Sequence, residues 1–348
     1  MCACPRGRLQ SAYLSRLEVF SLRKICIMTP CFNEVDNVRE LYTRIRAVAA
    51  QLPQYEFEHL FIDNRSTDGT VKVLRELAAE DPRVKVILNA RNFGHIRSPF
   101  YGLLQAGGDA VIGLASDLQD PPELIPEMIR QWEAGSLMVL GMKTSSDENP
   151  LMYWIRTRYY RLIKRLSEME TLEHVTGFGL YDRKVVEIMR SFDDAYPYGR
   201  GMISEIGLPY STIQYHQTKR SHGFTKNNFY TLYDMAMLGI TNVSKVPLRL
   251  MTGFGFACAL LSILISLGYL VYKLLFWNNF SVGIAPIAIG LFFFASVQLV
   301  FIGILGEYVA ATHTQVLKRP LVIEAERINF DNSSSVQTAV QNVGKTSS

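Results

Sequence analysis

The chain has 348 residues, 48% of them hydrophobic, with a formal net charge of +4. That length suits about two domains. So mild a positive balance, without a long basic run, excludes a nucleic-acid binder that works through charge.

Residues 1–22 hold no apolar stretch between Arg8 and Arg16, so they read as a flexible leader and not as a signal peptide. From Arg23 onward, strand and helix patterns alternate. Ile25 to Met28 is a short apolar strand, and Val35 to Gln51 has helical periodicity through Val38, Leu41, Ile45 and Val48. Phe57 to Ile62 predicts a strand, Thr70 to Ala79 a helix and Val84 to Leu88 a strand. A helix near Pro99 to Ala106, a strand from Ala110 to Ala115, a helix from Glu123 to Glu133 and a strand from Leu137 to Leu140 follow. Such alternation predicts an α/β domain with a mainly parallel, doubly wound sheet. Ligands of these sheets bind outside the carboxyl ends of the strands.

The four loops leaving those ends are polar: Thr29 to Glu34, Asp63 to Gly69, Asn89 to His95 and Ser116 to Asp120. The last runs into Asp117-Leu118-Gln119-Asp120-Pro121-Pro122. Its carboxylates and amide suit a hard divalent cation, Mg²⁺ or Mn²⁺. The same turn reads equally as a helix start capped by Asp120, and Asp68, Asn33 and Glu34 as turn and capping residues.

Beyond Pro150, Tyr153, Ile155, Tyr159, Tyr160, Leu162, Ile163 and Leu166 interleave with Arg156, Arg158, Arg161, Lys164 and Arg165. This predicts a basic amphipathic helix lying on an anionic membrane surface. A second aromatic helix, Phe229 to Leu238, precedes the apolar stretches Met251 to Trp277 and Val282 to Tyr308. Each is longer than the ~20 residues that cross a bilayer. Their connector carries no Lys or Arg, whereas Lys245, Arg249, Lys318 and Arg319 flank the pair. The positive-inside rule then puts the large N-terminal part and the tail in the cytoplasm of a plasma-membrane protein with two spans. Gly253, Gly255 and Ala257 offer a surface for homo-oligomer formation. Residues 331–348 have no apolar face and read as disordered. The five cysteines show no zinc spacing and suit reduced cytosolic thiols. The expected units are a catalytic domain over 23–225, a juxtamembrane helix over 226–249, a transmembrane hairpin over 250–310 and a cytoplasmic tail over 311–348.

The runs TPCFNE, DNRSTDGT, NFG and GGDAVIGLASDLQDPPE resemble the family-2, GT-A-fold (Rossmann-like) glycosyltransferases. With two C-terminal spans, the chain is most similar to the polyprenyl-phosphate hexosyltransferases, the group of dolichol-phosphate mannose synthases and bacterial undecaprenyl-phosphate sugar transferases. The resemblance covers roughly Arg23 to Pro320. It implies that a UDP- or GDP-sugar is the donor and a membrane polyprenyl phosphate the acceptor. Pro30, Phe32 and Glu34 would line the base and ribose, and Asp63 would contact the base. Asp117 and Gln119 would hold Mg²⁺ or Mn²⁺ on the diphosphate, with Lys143 near the phosphates. Arg200, Arg220 and Lys226 would take the acceptor phosphate, and Asp117, Arg220, Arg200 and Lys143 would carry catalysis with inversion.

Two departures stand out. Ala115 replaces the first acid of the usual DADLQD, and Gly177, in TGFGL, replaces an acid sometimes proposed as catalytic. A missing base is tolerable for this acceptor, because a phosphate monoester is already largely ionised near neutrality, its second pKa being about 6. A hydroxyl acceptor would need a carboxylate, and Asp147, Glu148 and Glu205 are candidates for that rival reading. A membrane scaffold that binds nucleotide-sugar without transfer is the other.

Overall fold

The computed structural model describes residues 22–146, 158, 175–194, 196–197, 199–217, 237, 246–275 and 284–330. The expected basic helix, apart from Arg158, and the aromatic helix, apart from Met237, lie outside the described residues, as does the leader before Leu22.

The strands are β1 (Arg23–Cys31), β2 (Tyr55–Asp63), β3 (Val84–Asn89), β4 (Ala110–Gly113), β5 (Met138–Ser146), β6 (Val175–Asp182), β7 (Tyr210–Gln217) and β8 (Glu324–Ile328). They form one sheet in the order β7-β5-β6-β4-β1-β2-β3-β8. The β4-β1-β2-β3 centre is parallel, β6 is antiparallel to both β4 and β5, and β8 is antiparallel to β3. Of the helices, α1 (Val38–Ala49), α2 (Thr70–Glu80), α3 (Gly94–Gln105), α4 (Ile125–Glu133), α5 (Arg183–Ser191) and α6 (Gly199–Ile206) belong to this domain. The two long apolar ones are α7 (Val246–Leu275) and α8 (Ile284–Val316).

Burial explains the parallel centre. Ile25, Cys26 and Ile27 on β1, and Leu60, Phe61 and Ile62 on β2, are all at most 1% exposed. Strands covered on both faces need apolar residues on both. Helix α1 turns Val38, Leu41, Ile45 and Val48 inward, a three-four spacing that lines one helical stripe. Each fully buried branched or aromatic side chain contributes about 1.5–3 kcal/mol. One charged group breaks this pattern. Glu58 on β2 is 5% exposed, and its carboxylate meets Lys24 at 2.7 Å and Lys85 at 2.8 Å from the neighbouring strands.

Three strands were not read from the sequence. TGFGL lies within β6, and Tyr210–Gln217 forms β7 with Ile213 and Tyr215 inward. The larger correction concerns the tail. Residues 324–328 follow both apolar helices, yet they pair with β3 and extend the catalytic sheet. Arg75 forks onto Glu326 at 2.7 and 2.5 Å, Tyr101 donates to Glu324 at 2.7 Å, and Asn329 donates to the carbonyls of Ala78 and Val84. A tail beginning at residue 311 and separate from the domain does not describe this segment. Helix α3 also starts earlier than Pro99, which sits inside it.

Helices α7 and α8 contain windows apolar enough to cross a membrane, Val246–Ile265 and Phe293–Val316, with mean hydropathies of 1.9 and 1.7. Most of their described large side chains face outward, Leu264 and Leu299 among them. An apolar surface of that size is uncovered by the protein itself.

Candidate nucleotide and metal site

The carboxyl ends of β1, β2 and β4 come together at one edge of the sheet. Cys31 and Asp63 stand side by side in the β1–β2 register. The hydroxyl of Ser116 donates to the Pro30 carbonyl at 2.9 Å, tying the loop after β4 to the end of β1. Pro30, Phe32, Glu34 and Asp63 therefore share this edge with Asp117 and Gln119.

Three non-glycine residues of these loops adopt the left-handed conformation: Asn33 (φ 57°), Arg65 (φ 67°) and Leu118 (φ 59°). That conformation costs a residue with a Cβ roughly 1–2 kcal/mol, so surrounding bonds must hold it. Around Asn33 they do. Its N–H donates to Ser66 Oγ at 2.8 Å, and its Oδ1 accepts from the Thr67 N–H at 2.7 Å. The neighbouring Glu34 N–H donates to Thr70 Oγ1 at 2.9 Å, while Asn37 donates to the Glu34 carboxylate at 2.6 Å. Asp68 accepts from the N–H groups of Val35 and Thr70, so it laces the two loops and acts as the turn residue its sequence allowed.

Asp63 differs. It is 1% exposed, and its Oδ2 accepts from the Ser66 N–H at 2.9 Å, but its buried Oδ1 has no hydrogen-bond partner. Burial pushes its pKa up against the hydrogen bonds from Ser66 and Arg65. A buried acceptor without a donor costs about 1–3 kcal/mol, and the imide N–H of a uracil or guanine base is a donor that would satisfy it. The thiol of Cys31 beside it is inert: burial, then the Asp63 charge, push its pKa far up.

At the other end of the edge, Leu118 is 5% exposed and anchors its turn in the core, while Asp117 and Gln119 on either side are half-buried. Asp117 Oδ1 accepts from the Gln119 N–H at 3.3 Å. Asp120 does not cap a helix. The turn Pro122–Leu124 has Pro121 at its cap and no side-chain cap bond, and Asp120 is 5% exposed. Its carboxylate accepts from the hydroxyl of buried Tyr215 on β7 and from Gln217 at 3.4 Å. Burial raises its pKa, opposed by the Tyr215 bond and by the charge of Lys143, and reinforced by Asp117. Lys143 on β5 stands beside Tyr215 in the β5–β7 register, which brings it to this acidic turn.

Tyr215 and Gln217 were missed in the sequence, where the only hint was the alternation of Ile213 and Tyr215. Tyr215→Phe is expected to lower stability by about 1–3 kcal/mol, because it removes the hydroxyl donor from a buried carboxylate. Thermal unfolding measures this, and an unchanged midpoint would refute the link.

No cluster of three or more His, Cys, Asp or Glu among the described residues could hold a metal unaided. Asp117 and Gln119 supply two oxygen donors from one turn. That incomplete, hard set fits Mg²⁺ or Mn²⁺, which keep water and substrate phosphate in their remaining positions. The two departures fall on neighbouring strands or just past their ends. The β4–β6 register pairs Gly113 with Gly179, and continuing it by two residues sets Ala115 opposite Gly177. A Cβ at Gly177 would meet nothing within 4 Å, so packing does not demand the glycine.

Arg200 lies on α6, and Arg220 and Lys226 fall outside the described residues. Glu205 is exposed on α6, and Asp147 and Glu148 fall outside the described residues.

A mixed sheet with a parallel centre, a buried unpartnered carboxylate oxygen at one strand end and an acidic turn at another is an arrangement of GT-A, Rossmann-like type. Comparison with known proteins narrows this: the model for Glycosyl transferase family 2 matches residues 26–189. The prophage-derived bactoprenol glucosyl transferase of Shigella flexneri is 34% identical over 301 residues, 86% of this chain and 97% of that one. A prophage bactoprenol glucosyl transferase homolog of Escherichia coli K12 is 33% identical over 86% of this chain and 98% of its own. Among solved structures, glucosyl-3-phosphoglycerate synthase of Mycobacterium tuberculosis aligns with a TM-score of 0.45 at 17% identity, over 63% of this chain and 77% of that one. The chain belongs to glycosyl transferase family 2 and is a glycosyltransferase.

Proposed function

We propose that this glycosyltransferase moves a hexose from a UDP- or GDP-sugar to a membrane polyprenyl phosphate, with inversion, on the cytoplasmic side of the plasma membrane. The observation that carries the reading is the near full-length similarity to bactoprenol glucosyl transferases, 34% over 97% of the relative. Glucose, named in those relatives, is the first hexose to test.

In this reading Pro30, Phe32 and Glu34 frame the base and ribose, and Asp63 Oδ1 accepts the base N–H. Asp117 and Gln119 would hold Mg²⁺ or Mn²⁺ at the donor edge. A bound cation supplies Lewis-acid screening of the departing nucleoside diphosphate. Lys143 adds positive charge beside that diphosphate. Arg200, Arg220 and Lys226 orient the acceptor phosphate, which attacks the anomeric carbon from the face opposite the leaving group. The acceptor oxygen is already anionic, so no side chain has to remove a proton, which accommodates Ala115 and Gly177.

Strand β8 supports the membrane arrangement. It follows α8 in the chain and pairs with β3, so the chain must leave the second apolar helix on the side where the sheet sits. Two crossings meet that requirement; one does not.

The test is to incubate the purified full-length enzyme and undecaprenyl phosphate with a panel of UDP- and GDP-sugars and Mg²⁺ or Mn²⁺. A lipid-linked monosaccharide is expected, and EDTA is expected to abolish its formation. Transfer only to a hydroxyl acceptor would overturn the reading.

A further inference from the structure

Three guanidinium groups from distant parts of the chain gather at the edge of the sheet next to β8. Arg91 lies in the loop after β3, Arg97 in α3, and Arg319 just beyond α8. Arg91 and Arg97 both stack on the ring of Phe93, with their guanidinium carbons 4.0 and 5.7 Å from its centroid. Arg97 donates to the carbonyl of Pro320, next to Arg319, and Arg91 to the carbonyl of Asn92 at 3.0 Å. The buried Nε of Arg97 has no hydrogen-bond partner. Burial first, and then the nearby charges of Arg91 and Arg319, hold the Arg97 pKa below its usual value, opposed only by Tyr196.

Among the described residues, no carboxylate pairs with any of the three. Elsewhere on this domain Arg39, Arg44, Arg46, Arg75, Arg83 and Arg327 each meet an acid, while Arg23 and Arg65, which meet none among the described residues, stand apart from each other on β1 and in the loop after β2. Helix α3 begins at Gly94, between Arg91 and Arg97, with no acid in its first turn, so its positive end adds to the same field. Like charges held together in this way call for an external anion.

The place identifies that anion. The apolar window of α8 runs to Val316, and Lys318 and Arg319 follow at once. On the membrane placement of the proposed function, the cluster sits at the depth of lipid headgroups. Guanidinium forks match phosphate oxygens in pairs.

We infer that Arg91, Arg97 and Arg319 form a headgroup site for an anionic bilayer phospholipid, separate from the acceptor-phosphate contacts of Arg200, Arg220 and Lys226. Occupation brings one negative charge among the three positive ones, easing their mutual repulsion, and steadies the loop from Asn89 to Gly94. That loop is bonded to Asn64, the neighbour of Asp63: Asn64 donates to Asn92 Oδ1 at 2.9 Å and to the Gly94 carbonyl at 3.1 Å.

The test uses the full chain, delipidated in detergent and reconstituted into nanodiscs of equimolar phosphatidylcholine and phosphatidylglycerol. After re-extraction, native mass spectrometry counts the lipids retained. The variant is Arg319→Gln; that position is exposed and lies outside the donor edge, and Arg97 is kept because it holds Pro320. Wild type is expected to retain phosphatidylglycerol selectively. The variant is expected to bind it about fivefold more weakly, from the usual contribution of one interfacial cation, with KM for both substrates unchanged. Equal retention by wild type and variant overturns the inference. So does an unaltered lipid count with a raised KM for polyprenyl phosphate, which makes the cluster part of the acceptor site, or with a raised KM for nucleotide-sugar, which makes it part of the donor site. Selective retention by a wild-type chain that transfers no sugar to polyprenyl phosphate upholds the lipid site and overturns the proposed function instead.

Discussion

Asp117→Asn is expected to lower transfer roughly a hundred- to a thousand-fold, the scale seen when one electrostatic stabiliser of a transition state is removed. The substitution keeps the shape of the turn and an oxygen that can still accept the Gln119 N–H, now at 3.3 Å. On the proposed function, what it removes is the only charge among the two cation donors. The thermal midpoint should hardly move, because Asp117 is half-buried and Leu118, not Asp117, anchors the turn. Single-turnover formation of lipid-linked sugar is the measurement. Wild-type turnover by Asp117→Asn at saturating Mg²⁺ or Mn²⁺ would remove the cation from the mechanism.

Glu58→Leu is expected to act on stability and not on chemistry, by about 3 kcal/mol, the lower part of the range for breaking a buried ion pair. Glu58 is held by Lys24 and Lys85, whose side chains keep 34% and 23% of their exposure and can turn partly toward water. That escape keeps the loss from the top of the range. Against a total stability of about 5–15 kcal/mol, the effect is large, and urea denaturation at neutral pH reads it. Lys85→Met in the same background should recover part of the loss, since it removes one stranded charge; additivity of the two changes would disprove the coupling. The pH dependence follows. Burial alone would raise the Glu58 pKa, but the hydrogen bonds and charges of Lys24 and Lys85 outweigh it and leave the value lowered. A carboxylate with a lowered folded pKa stabilises fully above its unfolded value, about 4.3. That contribution is lost as pH falls from there through the lower folded value. Wild type should therefore lose more stability than Glu58→Leu on acidification below that point.

Where packing wrote the sequence, the fold was legible. The two-sided burial of β1, β2 and β4 leaves continuous apolar runs, and α1, α2 and α4 show their buried stripes as three-four spacing. β6 escaped because its glycines at 177 and 179 break the strand pattern, and Gly179 is needed there: a Cβ would come 2.9 Å from the Val139 carbonyl. β8 escaped for a different reason. Glu324–Ile328 is an edge strand held by Arg75 on Glu326, Tyr101 on Glu324 and its own Arg327 donating to Gln105, through ion pairs and hydrogen bonds. Its polar composition resembles that of a loop. At the site, strand-end chemistry exposed Asp63, Asp117 and Gln119 as candidates, because acids and amides at parallel strand ends have few structural uses. The role of Asp120 could not be read, since its partner Tyr215 is distant in sequence and is brought near only by β7 joining the sheet beside β5.

Strand β8 also sets an order of events during synthesis. The edge of β3 stays open while the ribosome makes α7, the connector and α8, because the strand that pairs with it is translated after all of them. An unpaired edge of this kind is a template for wrong pairing. The catalytic sheet is finished only once the apolar hairpin has been delivered. A chain cut short within α8 is left with an open β3 edge, and on the proposed membrane placement the enzyme becomes complete only after its anchor has been made.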